Sequence, residues 1–212
     1  MTVKEEYNKK LADTVISNLK KRQIDAVYCA TAKEAADMAL SCVPSGSRVA
    51  FGGSMTLAEA GITDRLRSRD DITLLDRSAA KTPEEIKQIY HDAFSSDYYF
   101  TSTNALTSDG ELVNIDGNGN RVAALIYGPE HVIIVTSLNK IVPDVKTAVA
   151  RVRNDATPPN CIRLNKATPC ATTGVCGDCF APDCICNQIV ITRRNGTPGR
   201  IKVVLVGETL GY

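Results

Sequence analysis

The first half of the chain alternates between two hydrophobic periods. Residues 3–22 place an apolar side chain at every fourth position from Tyr7 to Leu19, among many lysines and glutamates, and this spacing predicts an amphipathic surface helix. Residues 24–30 form a short apolar run, IDAVYCA, with the length and composition of a buried strand. The chain is therefore expected to begin with a helix followed by a strand.

The same alternation continues as far as residue 102. Capping-box pairs, in which Thr is followed three residues later by Glu, predict helices at Thr31 and at Thr56, and a proline at a first helical position predicts a third over residues 83–95. The predicted strands are residues 24–30, 47–51, 72–76 and 97–102. Strands that alternate with such helices are typical of an α/β fold with a mostly parallel sheet and flanking helices.

The order of elements changes in the second half, where glycine-rich turns separate apolar runs. The predicted elements are a hairpin of residues 111–115 and 121–127 around the turn 116–120, a strand over 131–137, a helix from Pro143 to about Arg153, and an edge hairpin of residues 188–194 and 200–208. Between the last helix and the last hairpin, residues 155–187 are rich in Pro, Thr, Cys and Gly and show little periodicity. A stretch of this length needs something other than a hydrophobic core to order it.

Composition limits the classes of function. The 212 residues fit a single domain, 1–212, and 43% of them are hydrophobic, enough for a sizeable core. The net charge of +1 supplies no field that would attract nucleic acid or an anionic membrane, and no apolar run is long enough to cross a bilayer. The charged start MTVKEEYNKK lacks a signal-peptide core. We therefore expect a cytoplasmic protein with neither nucleic acid nor membrane as a partner.

Cysteine usage points to a metal. Six of the eight cysteines lie between residues 161 and 186, and five of them have the spacing C-x5-C-x2-C-x4-C-x-C. These five are Cys170, Cys176, Cys179, Cys184 and Cys186. Four thiolates can hold either a tetrahedral zinc ion or a [4Fe-4S] cluster, and the spacing does not separate the two. The alternative is a set of reduced core cysteines or a redox-regulated pair. Cys161 is a weaker ligand candidate, and Cys29 and Cys42 are expected to pack as small hydrophobes.

A glycine turn joins the second predicted strand to the helix that follows it. Gly52 and Gly53 let a ligand approach the backbone, while Ser54 and Thr56 add hydroxyl donors, a combination suited to a phosphate or carboxylate. The turn matches neither a Walker A nor a GxGxxG motif. A tight turn with an ordinary helix cap explains the same residues equally well.

Polar residues are concentrated between positions 101 and 121. The candidate catalytic residues are Asn104, Asp109, Glu111 and Asp116, and the candidate ligand-binding residues are Asn120 and Arg121. Two carboxylates two positions apart on a strand, such as Asp109 and Glu111, face the same side and suit a general base and its electrostatic partner. An ordinary hairpin with Asx turns is the competing interpretation.

Asn139 and Lys140 follow the predicted strand 131–137 at its carboxyl end, where open α/β sheets bind ligands. Lys140 is therefore a candidate for binding an anion. A solvated loop lysine is an equally good interpretation of the sequence. If the polar cluster is catalytic, these residues and the glycine turn should converge on one pocket.

The motif TNALTSDGELVNIDGNGNR, followed by SLNKIV and the cysteine segment ending in ICN, resembles the LUD domain of lactate-utilisation proteins, in its cysteine-containing branch. The resemblance runs over nearly the whole chain. It implies a fold similar to those of glucosamine-phosphate isomerase (NagB), ribose-phosphate isomerase and CoA transferases. It also implies Cys170, Cys176, Cys179 and Cys186 as metal ligands, with Cys184 as an alternate.

Three functions are compatible with this resemblance. The first is an iron–sulfur protein that takes part in the oxidation or utilisation of a small hydroxy acid such as lactate. The second is an isomerase or hydrolase of a small phosphorylated substrate, or a transferase-like enzyme, with structural zinc. The third is a non-catalytic, metal-stabilised assembly or regulatory subunit. The expected partners are a small anionic substrate, other redox subunits and a second copy of the chain.

Overall fold

The computed structural model describes residues 2–212 as two β-sheets covered by helices. The strands are β1 (Asp25–Cys29), β2 (Arg48–Phe51), β3 (Thr73–Leu75), β4 (Tyr98–Thr101), β5 (Ala105–Thr107), β6 (Leu112–Asp116), β7 (His131–Ser137), β8 (Ile141–Val142), β9 (Gln188–Thr192) and β10 (Ile201–Val206). The helices are α1 (Val3–Lys21), α2 (Ala32–Ser41), α3 (Met55–Glu59), α4 (Ile62–Arg67), α5 (Pro83–Asp92), α6 (Asn120–Ile126), α7 (Val145–Arg151), α8 (Thr157–Arg163) and α9 (Pro169–Thr173). Within residues 2–212, none of these helices has the length and apolar composition of a membrane span.

The larger sheet is entirely parallel and has the strand order β1-β10-β7-β4-β2-β3. Alternate side chains of its central strand β7 enter two separate cores. Val132 and Ile134 pack in one, and Ile133 and Val135 pack in the other. A strand buried on both faces needs apolar residues at consecutive positions, as HVIIVTS has. The prediction of an α/β fold with a mostly parallel sheet is confirmed.

The capping boxes at Thr31 and Thr82 begin α2 and α5, but the one predicted at Thr56 is wrong. Ser54 is the cap of α3, and its hydroxyl accepts a hydrogen bond from the Leu57 N–H at 3.3 Å. Gly61, with φ of 71°, then separates α3 from α4. Thr56 therefore lies inside α3, where its hydroxyl is free to bond to another part of the chain.

The smaller sheet has the order β8-β5-β6-β9 and contains a strand, β5, that the sequence did not predict. The expected strand at 121–127 is wrong, because these residues belong to helix α6. Gly119 adopts φ of 84° immediately before α6, and the Asp116 carboxylate accepts hydrogen bonds from the N–H groups of Asn118, Gly119 and Val122. These bonds satisfy donors at the helix start, and so the chain turns into a helix instead of a hairpin.

The hairpin predicted for residues 188–194 and 200–208 is also wrong. β9 pairs antiparallel with β6 in the smaller sheet, whereas β10 lies between β1 and β7 in the larger one. The sequence of β10, IKVVLV, ends in four consecutive apolar residues, and all four are buried. That pattern belongs to a strand covered on both faces, not to an edge strand.

Residues 155–187 are more ordered than their composition predicts. A π-helical turn, Val152–Ala156, continues α7 into α8, and α9 follows after a short connection. Cys161 on α8 and Cys170 on α9 are both buried. Apart from the connection 164–168, irregular backbone is confined to residues 174–187, which contain the other four cysteines of the segment.

Candidate functional site

A pocket lies where the carboxyl ends of β2, β4 and β7 meet at one edge of the larger sheet. The chain that leaves each strand supplies part of the wall, as expected for an open parallel sheet. The inner part, with a volume of about 60 Å³, is lined by Gly53, Ser54, Met55, Thr56, Ser102, Thr103, Asn104, Arg121, Lys140, Ala156, Asn160, Arg163 and Tyr212. An outer part of about 430 Å³ shares Gly53, Asn104, Arg121, Asn160 and Arg163 with it.

Lys140 is the most unusual residue of the pocket. It follows β7 in a single 3₁₀ turn, and the residue is only 3% exposed. Its Nζ donates hydrogen bonds to the Thr56 hydroxyl at 2.7 Å and to the Ser102 hydroxyl at 3.4 Å. Within residues 2–212, no carboxylate forms an ion pair with this ammonium group.

The environment of Lys140 favours its neutral form. Burial lowers the pKa of its amine to about 7, because a charged ammonium loses its hydration inside the protein. Arg151 and Arg121 lower the pKa further, and Glu59 opposes them. A large part of the Lys140 population is therefore unprotonated at neutral pH, which a surface lysine is not.

The glycine turn forms the part of the pocket wall next to Lys140. The Gly52 N–H donates to the Phe100 carbonyl at 2.9 Å, which ties the turn to β4. Within residues 2–212, the next four N–H groups, from Gly53 to Thr56, have no protein acceptor, and all four residues line the pocket. Added at Gly53, a Cβ would meet the Nη2 of Arg77 at 2.6 Å. The turn thus offers unpaired donors beside the Arg77 guanidinium, a combination that suits the anion site suggested by the sequence.

Arg121 organises the pocket by a network of buried hydrogen bonds. Its Nη1 donates to the Asn114 amide oxygen at 2.6 Å, and its Nη2 donates to the Asn104 amide oxygen and the Ile115 carbonyl, both at 2.9 Å. Asp116 lies 3.6 Å from its Nε. Burial lowers the pKa of Arg121, an effect that Asp116 opposes. Arg121 therefore fixes α6 against β6 and adds positive charge, while its donors are largely used by the protein.

Two of the four predicted catalytic residues lie elsewhere. Asp109 is exposed in the turn between β5 and β6, and its backbone carbonyl accepts from the Arg22 Nε. Glu111 pairs with Arg22 at 3.4 Å, against the end of α1. The expectation that they share the pocket is wrong, because β6 is five residues long and separates them from Asp116 at its other end. Asn104 and Asp116 do reach the pocket, where they bond to Arg121 and to backbone donors.

The remaining predicted binding residues divide in the same way. Asn120 lines the outer pocket. Asn139 is exposed and lines neither part of the pocket. Its amide nitrogen donates to the Gly211 carbonyl at 3.4 Å, close to the chain segment that covers Lys140. Added at Gly211, a Cβ would lie 3.3 Å from the Lys140 Nζ.

Several pocket residues carry no signal in the sequence. Asn160 and Arg163 come from α8, in the stretch whose composition predicted no helix, and Arg163 donates to the Tyr212 hydroxyl at 2.9 Å. Ser102 follows β4, and Arg77 follows β3. These residues meet only through the tertiary fold. Ser102 alone could have been found from the sequence, because it directly follows an apolar strand.

The cysteine segment borders the outer pocket. Cys184 lines this pocket, and a neighbouring cleft is lined by Cys179, Cys184 and Cys186. The Cys186 N–H lies 3.4 Å from the Cys184 Sγ. Cys161 faces Cys170, and burial raises the pKa of the Cys161 thiol to about 11. Within residues 2–212, no three His, Cys, Asp or Glu side chains are arranged closely enough to hold a metal ion.

Comparison with known sequences identifies one family. Residues 12–206 match the sequence profile described as the LUD domain. No curated protein sequence matches the chain.

One solved structure shares the fold over nearly the whole chain. A DUF162 family protein from Deinococcus radiodurans aligns with 94% of this chain and 98% of its own, at a TM-score of 0.54 and 14% identity. At this identity the likeness concerns the fold alone. Ribose 5-phosphate isomerase A from Methanocaldococcus jannaschii gives a TM-score of 0.36 at 16% identity, over 63% of this chain and 62% of its own. The eIF2B delta of Chaetomium thermophilum gives 0.34 at 16% identity, over 68% and 55% respectively.

Proposed function

The chain belongs to the LUD domain family, and from this premise we propose that it binds a small hydroxy-acid anion such as lactate in the pocket beside Lys140 and takes part in its oxidation or utilisation. The observation that carries this proposal is the buried Lys140, which has hydroxyl partners and no acidic one. A neutral amine in that position can accept the proton of a substrate hydroxyl. An ordinary lysine, protonated at neutral pH, could not.

The glycine turn beside Lys140 suits the carboxylate of such an acid. The N–H groups of residues 53–56 have no acceptor within the protein, and they are therefore free to donate to an anionic ligand. Arg163 reaches both parts of the pocket, and Arg121 contributes positive charge from behind. We propose that the carboxylate binds at residues 53–56 and that the hydroxyl group points to Lys140.

The cysteine segment is proposed to hold the [4Fe-4S] cluster, with Cys170, Cys176, Cys179 and Cys186 as ligands and Cys184 as the alternate. The donor set fits this group in its chemistry, because thiolates are the ligands of iron–sulfur clusters. Burial raises the pKa of Cys161, and the neighbouring Cys170 and Cys186 raise it further; burial also raises the pKa of Cys186, and Cys184 and Cys176 add to that effect. When bound, the cluster would supply one-electron transfer towards other redox subunits. The chain's own contribution is to carry these thiols beside the outer pocket.

A phosphorylated small molecule is the second candidate ligand. Unpaired N–H groups and arginines bind a phosphate as well as a carboxylate, and the alternative function as an isomerase or hydrolase with structural zinc follows from that. The two candidates differ in ligand and in metal. Binding measurements therefore distinguish the two ligands. Metal analysis of anaerobically purified protein distinguishes the two metals, since the first candidate requires iron and the second requires zinc.

The test of the proposed function is calorimetric titration with lactate and, separately, with inorganic phosphate. We expect lactate to bind, and we expect Gly53→Val to weaken binding by about tenfold or more, since the new side chain would displace the Arg77 guanidinium, which lines the outer pocket beside Gly53. Gly196→Val is the matched control, because a Cβ there meets nothing within 4 Å. Binding of phosphate without lactate would favour the second candidate. Equal affinity in the Gly53 and Gly196 variants would exclude this site.

A further inference from the structure

The amine of Lys140 is held in a geometry that suits more than proton transfer. Its Nζ lies at the inner end of the pocket, between the hydroxyls of Thr56 and Ser102, whose oxygens are 3.5 Å apart. The residue is 3% exposed, yet it lines the pocket wall. Because Thr56 belongs to the glycine turn, a ligand bound at residues 53–56 would lie beside this nitrogen.

The charged groups that surround Lys140 do not hold it as an ammonium ion. Glu59 on α3 faces it but accepts the Gly211 N–H at 2.6 Å. Arg151 on α7 and Arg121 on α6 are cations on its other sides, and Arg151 donates to the Asn104 carbonyl at 2.7 Å. The pKa lowered to about 7 follows from this arrangement and from burial. A lysine that is neutral, buried and open to a ligand pocket is an activated nucleophile.

We infer that the Lys140 amine forms an imine with the carbonyl carbon of a small 2-oxo acid bound in this pocket. The inference rests on the proposed function for the site at which the carboxylate binds. It adds a covalent step and a second ligand class, because a 2-oxo acid is what a 2-hydroxy acid becomes when it is oxidised.

The step balances without an oxidant. The lone pair of Nζ attacks the carbonyl carbon, the carbon–nitrogen bond forms as the π bond of the carbonyl breaks, and one proton moves from the nitrogen to the oxygen to give a carbinolamine. Cleavage of the carbon–oxygen bond then releases this hydroxyl group, together with the second proton of the nitrogen, as water and leaves the imine. The Thr56 and Ser102 hydroxyls lie within hydrogen-bond distance of Nζ and can pass these protons.

The experiment is reduction of the imine by borohydride in the presence of pyruvate, followed by intact mass measurement and peptide mapping. At neutral pH the neutral fraction of Lys140 should exceed that of an ordinary lysine by about a thousandfold, and we expect its labelling to exceed that of any other lysine by at least about tenfold. Labelling should rise between about pH 6 and pH 8. Lys140→Met should lose the adduct, and Lys20→Met, which removes an exposed lysine of α1, should keep it.

The outcomes separate the two proposals. Pyruvate or lactate that binds in calorimetry without a Lys140 adduct would overturn the imine and leave the proposed function standing. Absence of binding by either acid would overturn both. An adduct spread evenly over surface lysines would also overturn the imine, since it would show no special reactivity at Lys140. Melting curves of the Lys140→Met protein show whether its loss of labelling comes from loss of fold.

Discussion

At the scale of single residues, Lys140 contributes an amine to the pocket, but its burial lowers the stability of the folded chain. A buried ammonium without an acidic partner costs free energy, and the protein reduces this cost by releasing the proton. The hydroxyls of Thr56 and Ser102 stabilise either protonation state, because a hydroxyl can donate or accept. A side chain retained at such a cost points to a role in ligand chemistry instead of packing.

The first prediction concerns the pH dependence of this cost. The pKa of Lys140 is about 7 when folded and 10.5 as a free side chain. Between these values the unfolded chain binds more protons, so the stability of the protein rises with pH across this window, and the cost is complete below pH 7. Lys140→Met should therefore raise the free energy of unfolding at about pH 6, on the order of 2–4 kcal/mol. The gain should shrink towards zero near pH 10.

Urea denaturation of the two proteins at both pH values, with reductant present, measures this difference. Lys20→Met serves as the control, because it removes the same charge from an exposed site. A Lys140→Met protein that is less stable than the parent at about pH 6 would mean that the ammonium is satisfied when folded. The neutral amine invoked for the pocket would then be untenable.

At the scale of elements, the cysteine segment divides into an ordered and an irregular part. α8 and α9 bury Cys161 and Cys170 against the body of the protein. Residues 174–187 have exposed apolar side chains, including Phe180, which is fully exposed. Ordering a backbone costs ~1–2 kcal/mol per residue, and this stretch buries too little surface to offset that cost. Metal ligation is the available source of the missing free energy.

The second prediction follows from this division. Replacing both Cys176 and Cys179 by Ser should abolish metal binding and make residues 174–187 sensitive to protease, while α8, α9 and both sheets remain resistant. Limited proteolysis with mass analysis of the fragments locates the cuts, and metal content is measured on the same samples. Cys42→Ser, outside the segment, is the control and should change neither. Full metal content in the double variant would reject the ligand assignment.

The elements that the sequence predicted well are those with local signals. The capping box at Thr31, the proline that opens α5 and the apolar run 131–137 each contain their whole signal within a few residues. α6 was missed because its apolar residues fit either period, and the deciding contact is the Asp116 carboxylate, which caps the helix from a preceding strand. Local pattern does not contain such a contact. Thr56 was misassigned because Ser54, two residues earlier, is an equally good cap.

The pocket shows the same limit. Gly53, Ser54 and Lys140 were singled out from their positions after strands, and Asn104 and Arg121 from the density of polar residues between positions 101 and 121. The structure brings all five together. Asp109 and Glu111 came from the same polar stretch, and the turn of the β5–β6 hairpin carries them to the opposite end of β6. Position relative to a strand's carboxyl end was thus a more reliable guide than the local density of polar residues. The pocket residues of α8 could not be identified from the sequence because their helix was not predicted.

At the scale of the whole molecule, two short connections join the two sheets at the pocket, and the first is formed by residues 102–104, which lead from β4 to β5. β7 runs through the larger sheet, its 3₁₀ turn places Lys140, and the chain continues directly into β8 of the smaller sheet. β5 and β6 carry Asn104, Asn114 and Asp116 to the same place from the other side. The larger sheet therefore supplies the floor of the pocket and the smaller sheet supplies the residues that hold Arg121.

The last prediction tests where the C-terminal strands lie in this architecture. Leu205 on β10 is 0% exposed in the core between β1 and β7, and Ile189 on the edge strand β9 is 53% exposed. Leu205→Ala should lower the free energy of unfolding by about 2–5 kcal/mol, because it leaves a cavity where neighbouring strands prevent collapse. Ile189→Ala, the control in the other strand, should cost less than about 1 kcal/mol, since its side chain stays largely in solvent. The two strands would lose similar amounts if they formed an edge hairpin, as their sequence alone suggested. Chemical denaturation of both variants under the same conditions compares these costs directly, and equal losses would contradict the central position of β10.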